Sequence, residues 1–471
     1  MKDRIAIDLP LLRQIGDLAD REQIRVSVVG GYVRDLLRGA ENKDIDVVVQ
    51  GDGIRFGAIV AKALGKKPPV TYEKFGTAML QLDEVKVEFV GARKESYKPD
   101  SRNPDVERGT LEDDLSRRDF TVNAIAASLN APDRGVIADP FDGRKALKQK
   151  ILKTPLDPQA TFEDDPLRIM RAMRFAAQLD FQVDPDIMAA AAAMKDRLQI
   201  VSQERITDEF MKILASPRPS VGLLLMHESG VLKVVFPEVA ELQGVDQRKD
   251  QHHKDVFLHT LKVVDNLSER CENIWLRMAA LLHDIAKPRT KAFKEGTGWT
   301  FHGHEELGAR MVKPIFQRLK LPMHHVKYVE KLVRLHLRPM ALVDEIVTDS
   351  AVRRLMFDAG EDIDDLMALC RADITSKNPR LVSQVRRNYD AVVEKMKEVE
   401  EKDRIRAWQP PVRGEEIMEV CGIEPGPLVG KLKQALTDAI LDGRVENTHE
   451  AALRYLMEIK DSDEFGRDST S

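Results

Sequence analysis

VVGGYVRDLLRGAENKDIDVVVQ, from Val28 to Gln50, poses the question on which the fold turns. An apolar run ends in Gly30-Gly31, an Arg34-Asp35 pair follows, and a second apolar run opens with two acids flanking Ile45. Side chains of a strand alternate between its faces. Asp44 and Asp46 therefore project together, while Ile45, Val47 and Val49 take the opposite face. Two carboxylates this close repel and do not ionise freely without compensation. A hard divalent cation supplies it: Mg²⁺ prefers oxygen ligands and is held by one or two carboxylates plus substrate phosphates. Two such ions can clamp the attacking and leaving oxygens of a phosphoryl transfer. Gly30-Gly31, placed between a buried strand and a helix expected to start near Val33, lets the backbone approach a phosphate closely. Arg34, in the first helical turn, can pair with a triphosphate. Taken singly, a GG pair or a DxD is weak evidence, and a lone DxD is more often a turn or exposed edge than a metal site; the chemistry lies in their combination.

Around this stretch the first 150 residues mix strand and helix signals. IRVSVV and DIDVVVQ read as buried strands, and TAMLQLD and VKVEFVGAR as alternating strands joined by a turn at Asp83-Glu84. GYVRDLLRG and GDGIRFGAIVAKALG read as helices ended by glycine. The sheet is expected to be small and mainly antiparallel or mixed. After DPFDGRKALKQKILKTP the strands stop, and helical spacing broken by Pro and Gly takes over from Asp165 onward. The expected organisation is α+β: a head over 1–153, a helical neck over 154–243, a helical domain over 244–390 and a helical C-terminal region over 391–471. A length of 471 residues fits roughly three cores.

Composition bounds the partners. The chain is 43% hydrophobic and 32% charged, and it has no apolar run long enough to span a bilayer. Its three cysteines form no CxxC pair, which suits a reducing cytoplasm. The charged N-terminus MKDRIAIDLPLLRQIG is unlike a secretory signal. A net charge of −5 gives no global footprint for nucleic acid. Only local basic stretches do, LRIMRAMRF and VKYVEKLVRLHLRP, so any RNA contact would be local and phosphate-directed; solvated helix faces are the alternative.

GG-x-V-R-D followed by D-x-D on the next strand resembles the nucleotidyltransferase signature of the DNA polymerase β-like superfamily, in its class II branch of tRNA CCA-adding enzymes and bacterial poly(A) polymerases. LEDDLSRRDFTVNAIAASL resembles the second motif of that branch, which implies that Arg118 helps to bind the incoming nucleotide. EDDPLRIMRAMRFAAQLDF resembles the motif that reads the base. The resemblance implies that Asp165 and Arg168 make Watson–Crick-like hydrogen bonds to CTP or ATP, and that Arg171 and Arg174 belong to the nucleotide site. One helical turn does place i and i+3 on one face; a carboxylate accepts from the exocyclic amine of C or A, which U and G lack at that edge. Asp165 before Pro166 also reads as an N-cap. Where many relatives have Glu-Asp, this chain has Asp164-Asp165. SQERITDEFMKIL resembles the helix that supports the site, and the stretch Gly91–Asp114 fills the position of the branch's flexible loop. Glu88 is a candidate third carboxylate, or a solvent-facing Glu. The resemblance covers about Val26 to Pro237.

The second half carries its own constellation: His259 in VFLHTLKVVDN, His283-Asp284 in LRMAALLHDIAKP, and Asp373 in LCRADITSKN. A charged pair inside an apolar helix is costly unless neutralised, and imidazoles with carboxylates suit a transition metal, Mn or Mg. The order H…HD…D looks like the HD phosphohydrolase superfamily, in some members of which histidines placed like His302, His304 and His336 hold a second metal. Lys287 reads as a phosphate contact or a helix C-terminal cation. The combined resemblance implies Mg²⁺ in the head at Asp44 and Asp46, another divalent metal at His259, His283, Asp284 and Asp373, and tRNA, CTP and ATP as partners. It implies CCA addition to tRNA. The rivals are a poly(A) polymerase or A-adding enzyme, an HD phosphohydrolase with a vestigial head, and an RNA-binding module without catalysis.

Overall fold

In the computed structural model the described residues are 3–73, 76–82, 84–96, 105–245, 255–295, 298–344, 348–376, 378–403, 410–460 and 462. The chain divides into two compact units, Met1–Ala240 and Glu241–Ser471.

Val26–Val29 (β1) and Asp44–Val49 (β2) form the antiparallel centre of a sheet in the first unit, with Val29 opposite Asp46. The other strands are Val70–Tyr72 (β3), Thr77–Leu82 (β4), Val85–Gly91 (β5), a separate ribbon of Arg93–Ser96 (β6) and Asp105–Arg108 (β7), then Ala126–Ser128 (β8) and Ile137–Ala138 (β9). The seven-stranded order is β3-β4-β5-β2-β1-β8-β9. β2 and β5 run parallel, in a register that sets Asp46 beside Glu88 and Asp44 beside Lys86. The alternation read from the sequence decides the layers. Ile45, Val47 and Val49 join the core under the helices Pro10–Arg21 and Gly53–Ala63, with Leu12, Ile15, Phe56 and Phe89. Val48, on the acids' face, packs with Val29, Leu115 and Ala126. The second helix is started by Asp52, whose side chain accepts from the Arg55 amide at 3.0 Å. The helix after Gly30 begins at Gly31 rather than near Val33. Asp83 of the expected turn lies outside the described residues, as does 97–104 of the expected loop, whose flanks form the β6–β7 ribbon.

Past the sheet the first unit is helical except for one short parallel pair, Ile151–Leu152 with Gln182–Val183, so the strands do not stop where the sequence pattern suggests. Leu167–Leu179 packs against Gln203–Leu214 and Pro219–Glu228. In the second unit, Val256–Ser268, Ile274–Leu282, Val326–Leu335 and Ile363–Asp373 pack together. The long helix Pro379–Asp403 follows. The helices Gly414–Cys421, Pro427–Leu441 and His449–Ile459 then close around Ile417, Leu432, Leu436 and Leu456.

Candidate active site

The register of β2 on β5 brings Asp46 and Glu88 to one end of a cavity of about 480 Å³. Thr77, Arg118, Arg168, Arg171, Asp165 and Arg205 are among its other lining residues. Asp46 is half-buried. Burial pushes its carboxyl up, Glu88 and Asp114 push the same way, and Arg118 opposes them. The nearest cation, Arg118 Nη1, stands 4.0 Å from Asp46 Oδ2, and Lys86 holds Glu88 at 2.6 Å. A carboxylate beside a second one, with its own charge opposed by burial, fits a hard divalent ion. Arg118 is aimed by Asp114, which is fully buried and accepts from its Nε and Nη2 at 3.3 and 3.2 Å. Burial would raise Asp114, but Arg118 and Arg117 outweigh it and hold its carboxyl low. Gly30 makes room for this contact: its φ is +73°, and a Cβ there would lie 2.7 Å from Arg118 Nη1 and 3.4 Å from Asp46 Oδ2. Gly30→Ala should therefore cost more than about 1 kcal/mol of stability and displace Arg118. A thermal melt and a CTP titration of the variant measure both effects.

Arg171 reaches Asp119 with Nε at 2.8 Å and Nη2 at 2.6 Å. Burial alone would raise Asp119; Arg171, Asn123 and Arg168 more than offset it and bring it to about 2. A depressed carboxyl contributes stability that is present above its unfolded value and lost as pH falls through the folded one. The contribution is roughly 2 kcal/mol at neutral pH. Urea unfolding of the protein and of Asp119→Asn should differ by about that much at pH 6, and the gap should narrow steadily below pH 4.

In the second unit six side chains converge from five segments. His259 Nε2 lies 2.8 Å from Asp373 Oδ1, and His283 Nε2 lies 3.7 Å from the same oxygen. Asp284 faces His283 at 3.2 Å through Oδ2, and His304 and His336 at 3.3 and 3.9 Å through Oδ1. The Nδ1 atoms of His283, His304 and His336 donate to the carbonyls of Ala280, Phe301 and Val333 at 2.7, 2.7 and 2.6 Å. A carbonyl only accepts, so each Nε2 of a neutral ring turns a lone pair toward a carboxylate. These three Nε2 atoms are buried and have no hydrogen-bond partner among the described residues. Acceptors facing acceptors in a dry interior need a metal cation or a proton between them. The groups His259/His283/Asp373 and Asp284/His304/His336 each bring their ligand atoms within 4.8 Å of one another, a donor set that fits metal ions. Burial opposes charge on His283, but Asp284 outweighs it and lifts the imidazole to about 9. Burial drops His336 to about 4, with the His283 charge acting the same way. Lys287 Nζ donates to Asp284 Oδ2 at 2.7 Å.

A family model described as the Poly A polymerase head domain matches residues 26–153, one described as a probable RNA and SrmB-binding site of polymerase A matches 180–243, and an HD domain matches 256–378. An A-adding tRNA nucleotidyltransferase of Deinococcus radiodurans is 35% identical over 434 residues, which cover 90% of this chain and 93% of that one. A CC-adding tRNA nucleotidyltransferase of Thermus thermophilus is 31% identical, over 91% of this chain and 92% of that one. The chain belongs to the tRNA nucleotidyltransferase family. A multifunctional CCA protein of Neisseria meningitidis is 35% identical over 66% of this chain and 72% of its own. Among solved structures, the Bacillus stearothermophilus CCA-adding enzyme in complex with CTP superposes with a TM-score of 0.65 at 24% identity, over 98% and 99% of the chains. The fold is thus the expected α+β head followed by helical segments that include an HD domain.

Within this tRNA nucleotidyltransferase the expected site residues divide. Asp46, Arg118, Asp165, Arg168 and Arg171 line one cavity; Asp44, Gly30, Gly31, Arg34 and Arg174 are not among its lining. Asp44 is exposed, two residues before Asp46 on β2. The Arg34 guanidinium is buried. It donates to both Asp35 oxygens at 2.9 and 2.7 Å and to Asn123 Oδ1 at 2.8 Å, and lies 5.2 Å from the Phe175 ring centroid. Arg174 pairs with buried Glu209 at 2.7 Å and lies 4.1 Å from the same ring's centroid. Arg168 donates to the carbonyls of Thr161 and Arg117 at 3.2 and 2.6 Å. The capping role of Asp165 is present, with Oδ1 accepting from the Leu167 amide at 3.1 Å. Glu209 and Arg205 were not expected at the site. Both lie in SQERITDEFMKIL, where a glutamate at the spacing of Ile206, Phe210 and Ile213 signals a buried partner for a cation. Of the other histidines, His304 and His336 join the metal-type cluster, while His302 is exposed.

Proposed function

We propose that the protein adds C and A from CTP and ATP to the 3′ end of tRNA without a template. The observation that supports this most directly is a single cavity in which metal-type carboxylates (Asp46, Glu88) and a base-reading pair (Asp165, Arg168) face one nucleotide-sized space. Asp44 and Asp46, with Glu88 beside them, would hold Mg²⁺, which when bound supplies charge stabilisation at the reacting phosphate and the leaving pyrophosphate. The chain's own groups bind and orient. Arg118, aimed by Asp114, meets the anionic nucleotide; Asp165 accepts from the exocyclic amine of C or A; Arg168 donates to the neighbouring acceptors. Arg171 and Asp119 brace the helix that carries both readers.

The HD cluster would hold divalent metal through His259, His283, Asp284 and Asp373, with His304 and His336 completing a second position around the shared Asp284. Hydrolysis of phosphate esters is the chemistry this donor set suits. The segments 1–153, 154–243, 244–390 and 391–471 are assigned as head, neck, HD domain and C-terminal region. No helix among the described residues is long and apolar enough to cross a membrane, and we assign the protein to the cytoplasm.

A second reading, addition of the terminal A alone, is favoured by the Deinococcus radiodurans relative, whose name records that activity and of which this chain covers 93%. One experiment separates the two. Transcripts of tRNA ending before the CCA, after the first C and after the second C are incubated with Mg²⁺ and each nucleoside triphosphate, singly and together, and the new ends are sequenced. Use of CTP on the shortest transcript supports CCA addition. Use of ATP alone, only on the transcript ending in CC, supports the second reading. A homopolymer tail defeats both.

A further inference from the structure

Arg205 is the third residue of the helix Gln203–Leu214. That is a poor place for a cation, because the first turn presents the positive end of the helix dipole. Its side chain is 43% exposed, so an ion pair there contributes little to stability. Yet its Nη2 donates to Asp165 Oδ2 at 3.0 Å, across 40 residues of chain, inside the cavity lining. The other oxygen, Oδ1, accepts from the Leu167 amide at 3.1 Å. The carboxylate is thus fixed at both ends, one oxygen to a helix amide and one to a guanidinium. Arg168, the other member of the base-reading pair, is itself anchored to the Thr161 and Arg117 carbonyls.

A carboxylate held this way is a rigid acceptor. Cytosine and adenine bring an amine donor to that edge; uracil and guanine bring a carbonyl oxygen. Acceptor against acceptor is costly in a partly desolvated site, but only if the carboxylate cannot swing aside. We propose that Arg205 is a positioning residue for nucleotide choice: together with the Leu167 amide it locks the Asp165 carboxylate toward the base, so that nucleotides with an exocyclic amine are taken and those with a carbonyl are refused. This rests on the reading of Asp165 as the group that meets the base.

The test is equilibrium binding of CTP, ATP, UTP and GTP to the full chain and to Arg205→Ala, Arg205→Gln and Arg205→Lys, with a thermal melt of each. The wild-type chain should bind CTP and ATP more tightly than UTP and GTP. Arg205→Ala and Arg205→Gln should shrink that preference at least fivefold, chiefly by weakening CTP and ATP, at a nearly unchanged melting temperature. Arg205→Lys should restore part of it. A preference that stays within twofold of wild type in both neutral variants overturns the proposal. So does an equal loss for all four nucleotides, which would make Arg205 an ordinary phosphate or structural contact, and so does a wild-type chain without preference. Transfer to tRNA is measured separately: a chain that binds with preference and transfers nothing refutes the transferase reading while leaving the role of Arg205 in place.

Discussion

Asp46→Ala should lower nucleotide addition by about 10³-fold, since removing a metal-binding carboxylate forfeits several kcal/mol of transition-state charge stabilisation. The fold should tolerate the change. Asp46 sits beside Glu88 with burial and a buried Asp114 both acting against its charge, and the nearest cation among the described residues is 4.0 Å away. Removing it relieves repulsion and breaks no close ion pair, so the melting temperature should hold or rise slightly. The combination of lost transfer with retained stability identifies a group kept for chemistry. Initial rates on trimmed tRNA at saturating CTP, set beside a melt, measure it. A variant that keeps more than a tenth of the wild-type rate would place the metal elsewhere. Metal-dependent release of phosphate by the HD unit should survive in the same variant.

The second large effect is expected at Asp284. Its two oxygens serve different histidines, Oδ2 facing His283 and Oδ1 facing His304 and His336. Asp284→Asn keeps the shape and removes the charge. It should empty both metal positions at once, whereas His304→Ala should empty one. Elemental analysis of chains loaded with Mn²⁺ and desalted gives the stoichiometry: two ions in the wild type, one in His304→Ala, none in Asp284→Asn. Equal losses in the two variants would refute the shared-ligand arrangement. Stability should fall as well. Lys287 would lose its charged partner at 2.7 Å, and breaking a buried pair from one side costs about 3–5 kcal/mol. Nucleotide addition by the head should be unaffected.

The strand pattern around Asp46 was legible because alternation is a local property: two acids and three aliphatics at period two leave a single assignment of faces. The neighbour that β5 supplies was not local. Glu88 read at least as well as a solvent-facing residue as a third carboxylate, and only the parallel register shows that it stands beside Asp46. The surroundings of Arg34 were not local either. Its position in the first turn after a GG pair suits a phosphate, but the capture of its guanidinium depends on Asn123, 89 positions away. In the HD unit the order of histidines and aspartates carried the quartet, since each falls on or at the end of an apolar helix. His302 and His304 could not be told apart from spacing. Only the turn into the helix His304–Arg318, where Phe301 accepts from the imidazole at 2.7 Å, buries one and leaves the other out.

One feature of the head has a longer reach. The acids that would drive transfer belong to strands, locked by backbone pairing, whereas the pair that would meet the base and the arginine that would position it stand at the starts of two helices. On the proposed reading, a substitution on those helices would retune which letter is accepted and leave the reactive end untouched. Heredity can therefore revise the message without rebuilding the engine, and kin that share a third of their residues with this chain bear names for A, for CC and for CCA.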